Sequence, residues 1–428
     1  MIPLDLDQIE ELCPGALERA PWADEATGVK IDSRRVEEGD LFVVVGDGAA
    51  FRRHAFARGA AATLVPENAF AALAALGGAV RARSRAEVVG ITGSTGKTST
   101  KDILAALCRP HRRTIANEAS YNAELGVPLT LCRLEADTEL LILELAMRGL
   151  GQIAELCAFA RPTAGVITNI APVHLELVGS VAGVARAKSE LLAALPAQAW
   201  AVVPAAAPEL EPFLRPDLRY VRVGEDVRLE RFQPPALSVA IGEEVVELDV
   251  PFTARYQAAN AVTAIAAYAA LGLPTGDAGC GAADIAFSRW RGDELPLPGG
   301  GILVNDVWNA NPVSMRAALE HLVDLAGARR TVAVLGDMAE LGPDAPRFHA
   351  DVGAEAGRLG IDVVIGVGPL AGGYLDPRIP ETHSVDSAPQ AVDALRTILR
   401  DGDAVLVKGS RAMRMERIAD GLSLVNVA

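Results

Sequence analysis

Short apolar runs alternate with longer amphipathic segments along most of this chain. The runs at 140–143 and 165–167 are continuously apolar, which is typical of strands that are covered on both faces of a parallel sheet. The segment 180–195 instead has its apolar residues at helical spacing, after a residue, Ser180, that favours the N-cap position. The alternation predicts an α/β fold in which helices connect parallel strands.

The pattern divides into three segments, in keeping with 428 residues at roughly 150 residues per domain. We predict an N-terminal α/β domain over 1–82, a central P-loop-type parallel sheet domain over 83–292, and a C-terminal Rossmann-like doubly wound domain over 293–428. A Pro/Gly-rich joint at 296–301 opens the third segment. Residues 204–250 are less regular and predict a peripheral strand-rich insertion.

Charge and cysteine content narrow the class of protein. The net charge of −15 argues against a general nucleic-acid binder, which needs a basic surface. The five cysteines are scattered and lack metal-ligand spacing, as expected for reduced thiols in a cytosol. The N-terminal sequence is acidic where a signal peptide is basic, and no apolar run approaches about 18 residues. We therefore expect a cytoplasmic protein with no membrane insertion.

A glycine turn at 92–98, Thr-Gly-Ser-Thr-Gly-Lys-Thr, lies between a predicted strand at 88–91 and a predicted helix at 99–107. In that setting backbone N–H groups and the positive end of the helix dipole converge on bound phosphate. The residues predicted to surround the phosphates are Gly93, Ser94, Thr95 and Gly96.

The two residues that end this turn carry its chemistry. Lys97 would neutralise the β- and γ-phosphates of a nucleotide, and Thr98 would hold Mg²⁺. Ile91 occupies the position where the common P-loop has its first glycine. We therefore predict a shorter Gly-x-x-Gly-Lys-Thr variant.

Polar residues close the apolar runs of the central segment. Glu144 follows 140–143, Thr168 and Asn169 follow the next run, and His174 lies on the same loop. Because ligands bind beyond the carboxyl ends of parallel strands, we expect Glu144 and His174 to approach the phosphate turn, where they would bind Mg²⁺ directly or through water. A lone histidine beside a proline is more often structural, so His174 is assigned only together with these neighbours.

Lysine is rare in this chain, which uses arginine wherever a positive charge is enough. The few lysines are candidates for sites that need a compact ammonium or an amine that can lose its proton. Lys188 falls on the apolar stripe of 180–195, where burial would favour a neutral amine able to react with CO₂ and form a metal-binding carbamate. The alternative is a lysine whose stem packs while its ammonium reaches water, and the pattern leaves both open. Of the 40 basic residues, the lysines are Lys30, Lys97, Lys101, Lys188 and Lys408.

In the third segment, too, polar residues gather where predicted strands stop. Two α/β domains with such edges predict a cleft that closes over a nucleotide and an acceptor. The residues concerned are Asn305, Asp306, Asn309, Asn311, Asp337, Lys408, Ser410 and Arg411.

Together these sequences resemble the Mur ligase family, which comprises ATP-dependent amide-forming enzymes of bacterial cell-wall synthesis, and the resemblance covers essentially the whole chain. The matching stretches are Asp32–Arg34 with Gly39–Phe42, Thr92–Thr98, Asn122 with Gly126–Leu129, Thr168–Ile170 with His174, Ala185–Glu190, Asn305–Pro312, Leu335–Gly342 and Lys408–Arg411.

The resemblance implies a three-domain ligase that binds UDP in the first domain, ATP in the second and an acceptor with help from the third. The last three stretches resemble the family member that joins D-Ala-D-Ala to UDP-N-acetylmuramoyl-tripeptide through an acyl phosphate, and a monomer is expected. By motif, Lys97 and Thr98 would handle phosphates and Mg²⁺, and Glu144, His174 and a carbamylated Lys188 would organise the metal ions. Adenosine or phosphate contacts would come from Asn260, Arg291 and Asp306, and substrate contacts from Ser33, Arg34, Asn122, Asn309, Asp337, Lys408, Ser410 and Arg411.

The chain departs from the family pattern at three places. Arg52-Arg53-His54 occupies the position of the usual Asp-Gly-His, and the usual Gly-x-His-Asn is replaced by Ala254–Gln257. Trp308 occupies the position of a tyrosine, which keeps an aromatic plane.

Two other functions are compatible with a nucleotide site of this kind. One is another amide ligase of the same superfamily, such as a Mur-type enzyme that adds the third residue of the stem peptide or a folylpolyglutamate-type enzyme, and the run 335–342 argues against both. The other is a non-catalytic partner in which ATP only switches conformation. The joint presence of Lys97, Glu144, His174 and Lys188 favours an enzyme instead.

Overall fold

The computed structural model describes residues 1–118 and 121–423, so the end of the third predicted segment, 424–428, lies outside it. An N-terminal unit contains a two-stranded sheet, β1–β3, and a four-stranded sheet in the order β2-β6-β5-β4. Its strands are β1 Leu4–Asp5, β2 Gly15–Arg19, β3 Glu25–Ala26, β4 Gly28–Lys30, β5 Asp40–Val43 and β6 Ala62–Pro66, and its helices are α1 Leu6–Leu12, α2 Arg52–Ala57 and α3 Ala69–Arg83.

A nine-stranded sheet forms the centre of the molecule, in the order β15-β14-β13-β12-β11-β10-β7-β9-β8. The strands from β8 to β13 pair in parallel, and β14 and β15 add antiparallel edges. The strands are β7 Glu87–Thr92, β8 Thr114–Ala116, β9 Leu140–Glu144, β10 Ala164–Ile167, β11 Trp200–Pro204, β12 Arg219–Val223, β13 Val227–Gln233, β14 Ala236–Ile241 and β15 Glu244–Asp249. The helices are α4 Lys97–Cys108, α5 Gly126–Leu131, α6 Gln152–Ala160, α7 Leu175–Val178, α8 Val181–Ala194 and α9 Arg255–Ala270.

A six-stranded sheet forms the third unit, in the order β16-β17-β21-β18-β19-β20, parallel except for β16. Its strands are β16 Asp293–Pro296, β17 Ile302–Asp306, β18 Thr331–Gly336, β19 Val363–Val367, β20 Glu381–Val385 and β21 Ala404–Lys408. Its helices are α10 Pro312–Ala326, α11 Ala345–Leu359, α12 Ala388–Ile398 and α13 Glu416–Ser423. Short 3₁₀ helices lie at Ser33–Arg35, Gly46–Phe51, Pro208–Phe213, Thr275–Asp284, Pro298–Gly300, Gly342–Asp344, Ala371–Tyr374 and Arg411–Met413.

The apolar runs form strands buried on both faces, as their composition predicts. On β9, Leu141 joins the core that contains α3, α5 and α8, whereas its neighbour Ile142 joins the opposite core, with α4 and α9. Successive side chains of a strand point to opposite faces, so a strand with helices on both sides must be apolar throughout. The predicted α/β class is therefore confirmed.

Local signals set where two helices begin. The Ser180 side chain accepts a hydrogen bond from Gly183 N at the start of α8. At the start of α10, Asn311 accepts from two backbone N–H groups and Pro312 occupies the first helical position, a combination that favours helix initiation.

The region 204–250 is rich in strands and lies at the periphery of the central sheet, as predicted. Its strands β12 to β15 continue the central sheet beyond β11. Among the described residues, no helix has the length and apolar composition that crossing a membrane requires. Four cysteines are buried, and Cys280 is exposed.

Candidate active site

The central sheet and the third unit together enclose a cavity of about 830 Å³ at the carboxyl ends of their strands. The chain crosses from β9 to β10 on the other side of β7, and such a reversal of strand order is where open α/β sheets bind ligands. The predicted site residues that line the cavity are Ser94, Thr95, Gly96, Lys97, Thr98, Asn122, Glu144, His174, Asn260, Arg291, Asp306, Asn309 and Lys408.

The phosphate turn requires glycine at two positions because its backbone passes close to other groups. At Gly93, with φ at +151°, a Cβ atom would lie 1.9 Å from Thr168 Oγ1. At Gly96, with φ at +76°, it would lie 2.2 Å from Asn260 Oδ1. Helix α4 begins at the next residue, so the turn delivers its free N–H groups directly to a helix N-terminus.

The loop after β10 holds the phosphate turn in place. Thr95 N donates to Asn169 Oδ1 at 2.9 Å, and Thr168 Oγ1 donates to Thr95 O at 2.5 Å. Ser94 Oγ donates to Ala171 O at 3.0 Å. Thr168 and Asn169 therefore shape the turn, a supporting role that their position at a strand end does not reveal.

Lys97 folds back over its own turn, where Nζ donates to Gly93 O at 2.8 Å. Burial lowers the pKa of Lys97, and the Glu144 carboxylate opposes that shift. The ammonium is thus held in the cavity beside the turn. A terminal phosphate of a nucleotide bound there would be its counter-ion.

Glu144 is the centre of a buried polar cluster beside Lys97. Thr98 Oγ1 donates to Glu144 Oε2 at 2.8 Å, and Asn122 Nδ2 donates to Glu144 Oε1 at 2.7 Å. Arg291 Nη2 donates to Thr98 Oγ1 at 2.9 Å. A hydroxyl and a carboxylate are hard oxygen donors of the kind that Mg²⁺ prefers, so Thr98 and Glu144 fit the predicted metal role.

His174 is engaged by a residue of the third unit. Its Nδ1 bonds the Glu340 carboxylate, which also accepts from Arg148. Both His174 and Glu340 have left-handed backbone, with φ at 53° and 62°, and residues other than glycine adopt it mainly where their surroundings impose it. Burial lowers the pKa of His174, and Glu340 opposes that shift.

Sequence analysis missed the role of Glu340, although it lies inside the matched run 335–342. In this arrangement the described residues contain no group of three or more His, Cys, Asp or Glu side chains that could hold a metal ion. Of the expected metal residues, Thr98 bonds Glu144 and His174 pairs with Glu340, and the metal set Thr98, Glu144, His174 and Lys188 stays a prediction.

Replacing Glu340 by alanine should lower kcat roughly 10- to 100-fold, the usual cost of removing a group that orients a functional histidine. The change would free both His174 and Arg148 and would uncouple the central and third units at this point. Steady-state kinetics would measure the effect. A matched control is Glu355→Ala, which removes a carboxylate paired with Arg358 on the surface of α11 at 2.5 Å. Equal kinetics for Glu340→Ala and the control would contradict the prediction.

Gln257 links two predicted nucleotide residues. Its Oε1 accepts from Asn260 Nδ2 at 2.9 Å, and its Nε2 donates to Arg291 O at 3.2 Å. Gln257 occupies a position where the chain departs from the family pattern, so the motif gave no sign of this role. The glutamine side chain is long enough to bond Asn260 and Arg291 at the same time.

Two tryptophans and two arginines pack together next to this link. The rings of Trp290 and Trp308 stack with centroids 5.8 Å apart and an interplanar angle of 13°. The Arg291 guanidinium lies 5.6 Å from the Trp308 ring centroid, and that of Arg411 lies 4.8 Å from the Trp290 centroid. Of these four residues, Arg291 and Trp308 also line the cavity.

Lys408 organises the edge that the third unit contributes. It is buried, and its Nζ donates to Asp306 Oδ2 at 2.6 Å and to Asn309 O at 2.8 Å. Burial lowers the pKa of Lys408, whereas its pairing with Asp306 raises it. Lys408 thus fixes the positions of two predicted site residues.

Three predicted substrate residues of the third unit do not line the cavity. Asp337 accepts from Leu370 N at 3.2 Å, Ser410 Oγ accepts from Ala339 N at 2.8 Å, and Arg411 pairs with Glu416 at 2.6 Å. In this arrangement they brace loops at the same sheet edge, because the cavity covers only the ends of β17 and β21.

The predicted residues of the first unit lie elsewhere. Ser33 Oγ bonds His54 Nδ1 at 3.0 Å. Arg34 lines a second cavity, of about 480 Å³, and pairs with Asp32 at 2.7 Å. Tyr121 lines this second cavity, and the next residue, Asn122, lines the first. The two cavities therefore meet at one loop.

Lys188 is buried on α8, with 2% of its surface exposed, and it does not line the main cavity. Loss of water and the like charge of Lys97 hold the pKa of Lys188 well below its ordinary value. Across 1–118 and 121–423 no hydrogen bond or ion pair to its Nζ is present. A buried amine without a partner favours the neutral form, and the carbamate at Lys188 stays a prediction.

The fold and the cavity define a nucleotide-binding enzyme whose phosphate turn and acceptor edge come from different α/β units. Family models match both units: "Mur ligase middle domain" matches residues 91–268, and "Mur ligase, glutamate ligase domain" matches residues 294–411. A Mycobacterium tuberculosis protein named UDP-N-acetylmuramoyl-tripeptide--D-alanyl-D-alanine ligase is 33% identical, over 99% of this chain and 98% of the relative. The chain belongs to the Mur ligase family.

Solved structures agree over nearly the whole length. MurF from Acinetobacter baumannii superimposes with a TM-score of 0.85 at 26% identity, covering 98% of this chain and 99% of that one. MurF ligase from Thermotoga maritima, solved in complex with ADP, gives a TM-score of 0.79 at 26% identity, covering 92% and 96%. The chain is therefore a ligase with the family's three-domain fold, as its motifs predicted.

Proposed function

We propose that this enzyme joins D-Ala-D-Ala to UDP-N-acetylmuramoyl-tripeptide, with conversion of ATP to ADP and phosphate, in peptidoglycan precursor synthesis. The observation that carries the proposal is end-to-end similarity to ligases named for this reaction, over 99% of the chain. The cavity supports it, because the phosphate turn faces a polar edge from another unit and a second cavity adjoins it.

The first step is transfer of a phosphoryl group. A carboxylate oxygen of the tripeptide attacks the γ-phosphorus of ATP, the bond to the β-phosphate oxygen breaks, and ADP leaves. Lys97 and the N–H groups of the turn stabilise the phosphate charge, so catalysis at this step is mainly positioning and electrostatics. Asn260, Gln257 and Arg291 hold the nucleotide, with Trp308 beside them.

The second step forms the amide. The amine of D-Ala-D-Ala attacks the activated acyl carbon, a C–N bond forms, phosphate leaves and the amine loses a proton. Lys408 fixes Asp306 and Asn309; Asn309 would contact the acceptor, and Asp306 the nucleotide. The third unit thus contributes to the reaction as well as to binding.

Magnesium, when bound, would shield the phosphate charge and polarise the γ-phosphoryl group. Thr98 and Glu144 are the residues placed to hold it. Lys188 in carbamylated form would supply a further anion near Lys97, and its buried amine without a partner supports that assignment. His174 would join the metal residues after exchanging Glu340 for the metal.

The UDP end of the substrate would occupy the second cavity, where Lys30, Arg34 and Arg58 supply positive charge. Arg52 belongs to the segment Arg52-Arg53-His54, which departs from the family pattern. It does not line this cavity, and it donates to Thr63 Oγ1 at 3.0 Å and pairs with Glu18. Since one chain builds both cavities, a monomer suffices. The reaction would take place in the cytoplasm, where ATP and UDP-linked precursors are present.

A substrate matrix tests the proposal. UDP-linked di- and tripeptides would be combined with single amino acids, including glutamate, or with D-Ala-D-Ala, while phosphate release and product mass are measured. We expect product only from the tripeptide and D-Ala-D-Ala, because the matched run 335–342 is specific to that family member. Efficient joining of a single amino acid, with D-Ala-D-Ala ignored, would overturn the proposal, and so would ATP binding without any turnover.

A further inference from the structure

Lys101 is one of the five lysines, and none of the roles described so far uses it. It lies one turn beyond the start of α4, with only 1% of its surface exposed. Its Nζ donates to Asn117 O at 2.7 Å and pairs with Asp102 Oδ1 at 2.8 Å. The ammonium is therefore buried behind the phosphate turn, between a main-chain carbonyl and a carboxylate.

Asn117 connects Lys101 to the polar cluster around Glu144. Its Oδ1 accepts from Glu144 N at 2.6 Å, and its Nδ2 donates to Tyr121 O at 2.6 Å. Tyr121 directly precedes Asn122, whose side chain bonds Glu144 Oε1. One asparagine therefore holds both the end of β9 that carries Glu144 and the loop that carries Asn122, and Lys101 holds the main chain of that asparagine.

Asp102 connects the same ion pair to a second part of the site. Its Oδ2 accepts from Ser288 N at 2.9 Å and from Ser288 Oγ at 3.0 Å. Ser288 lies three residues before Arg291, which donates to Thr98 Oγ1. The Lys101–Asp102 pair is thus tied to both of the side chains that bond Thr98, through Asn117 on one side and Ser288 on the other.

We propose that Lys101 is a positioning residue for the ligase reaction, which sets the distance between Thr98 and Glu144 by bracing Asn117 and Asp102. The proposal rests on the proposed function, in which Thr98 and Glu144 act together at the phosphates. A lysine suits the place because its compact ammonium carries three rotatable donors, whereas a planar guanidinium is larger and has fixed donor directions. Small displacements of such groups have large effects on rate.

The variants Lys101→Met and Lys101→Arg test this role through kinetics and through the binding of ATP with and without Mg²⁺. We expect Lys101→Met to lower kcat roughly 10- to 100-fold and to raise the Mg²⁺ concentration needed for half-maximal activity, with KM for D-Ala-D-Ala unchanged. Lys101→Arg should recover part of the loss, because it restores charge but not shape. If Lys101→Met does not fold, the double variant with Asp102→Asn takes its place, since it leaves no buried carboxylate unpaired.

Arg112→Met is the matched control. Arg112 also binds one carboxylate and one main-chain carbonyl, Glu87 at 2.7 Å and Leu271 at 2.9 Å, in the same unit but away from the cavity. The Arg112→Met variant should lower the melting temperature without changing the Mg²⁺ concentration needed for half-maximal activity. The inference fails if Lys101→Met behaves like this control.

Calorimetric titration with ATP and Mg²⁺ separates this inference from the proposed function, because it needs no acceptor. Should the unaltered enzyme fail to use D-Ala-D-Ala, the proposed function falls, while a weaker binding of Mg²⁺ with ATP in Lys101→Met would still support the positioning role. Equal binding in the variant and the unaltered enzyme would overturn it.

Discussion

Lys97→Ala is expected to reduce turnover about 100- to 1,000-fold, the scale on which the loss of one preorganised charge donor acts. The Lys97 ammonium is held against Gly93 O, beside the turn that would bind the terminal phosphates. The other lysines near it do not take its place: Lys408 is paired with Asp306, Lys101 is bonded to Asn117 O and Asp102, and Lys188 does not line the cavity. Single-turnover phosphate release with all three substrates would measure the loss.

Lys97→Arg should be nearly as poor, because a planar fork does not fit a turn shaped around a point charge. The melting temperature should change little in either variant, since Lys97 makes a single hydrogen bond and is only partly buried. This combination separates a lost catalytic charge from a damaged fold. Activity of Lys97→Ala close to that of the unaltered enzyme would remove the phosphate-turn assignment.

Lys188→Ala is expected to lose activity roughly 10- to 100-fold and to regain part of it when a short-chain carboxylate such as acetate is added at high concentration. The alanine would leave space for an anion where the proposed carbamate lies. Lys97→Ala is the matched control, since a carboxylate cannot supply the positive charge missing there. Rescue of Lys188→Ala alone is therefore the diagnostic result.

A direct readout complements the rescue experiment. The unaltered enzyme, equilibrated with ¹³C-bicarbonate, should show a carbamate carbonyl resonance that Lys188→Ala lacks. Because burial lowers the pKa of Lys188, its amine loses its proton at a lower pH than an ordinary lysine. The resonance should therefore persist at a pH where free lysine is fully charged, and disappear as the pH falls through that lowered value. An unmodified ammonium at Lys188 in an active, Mg²⁺-bound crystal would refute the assignment.

The features that the sequence predicted correctly depend on interactions between residues that are close together in the chain. The phosphate turn required glycine at two positions, and the structure shows the contacts that exclude a side chain at each. Ser180 predicted the start of α8 because an N-cap acts only two or three residues away. The run 140–143 predicted a strand buried on both faces because strand geometry alternates at every residue.

The assignments that required distant partners were incomplete. His174 pairs with Glu340, 166 residues away along the chain, and Arg291 reaches Thr98 over a separation of 193. Asp337, Ser410 and Arg411 end strands or follow them, as predicted, yet they brace loops outside the cavity. The rule that ligands bind beyond the carboxyl ends of parallel strands identifies one edge of a sheet. It does not identify which part of that edge packs against another unit.

The sequence by itself determined the α/β class, the phosphate turn, the family and the identity of thirteen residues that line the cavity, since each depends on local spacing or on short motifs. The tertiary structure alone decided which side chains support them: Gln257 behind Asn260, Asn117 and Lys101 behind Glu144, and Glu340 beside His174. Such contacts form only when strands and units pack together. Their partners are separated in the chain by lengths over which no local rule of hydrogen bonding or periodicity operates.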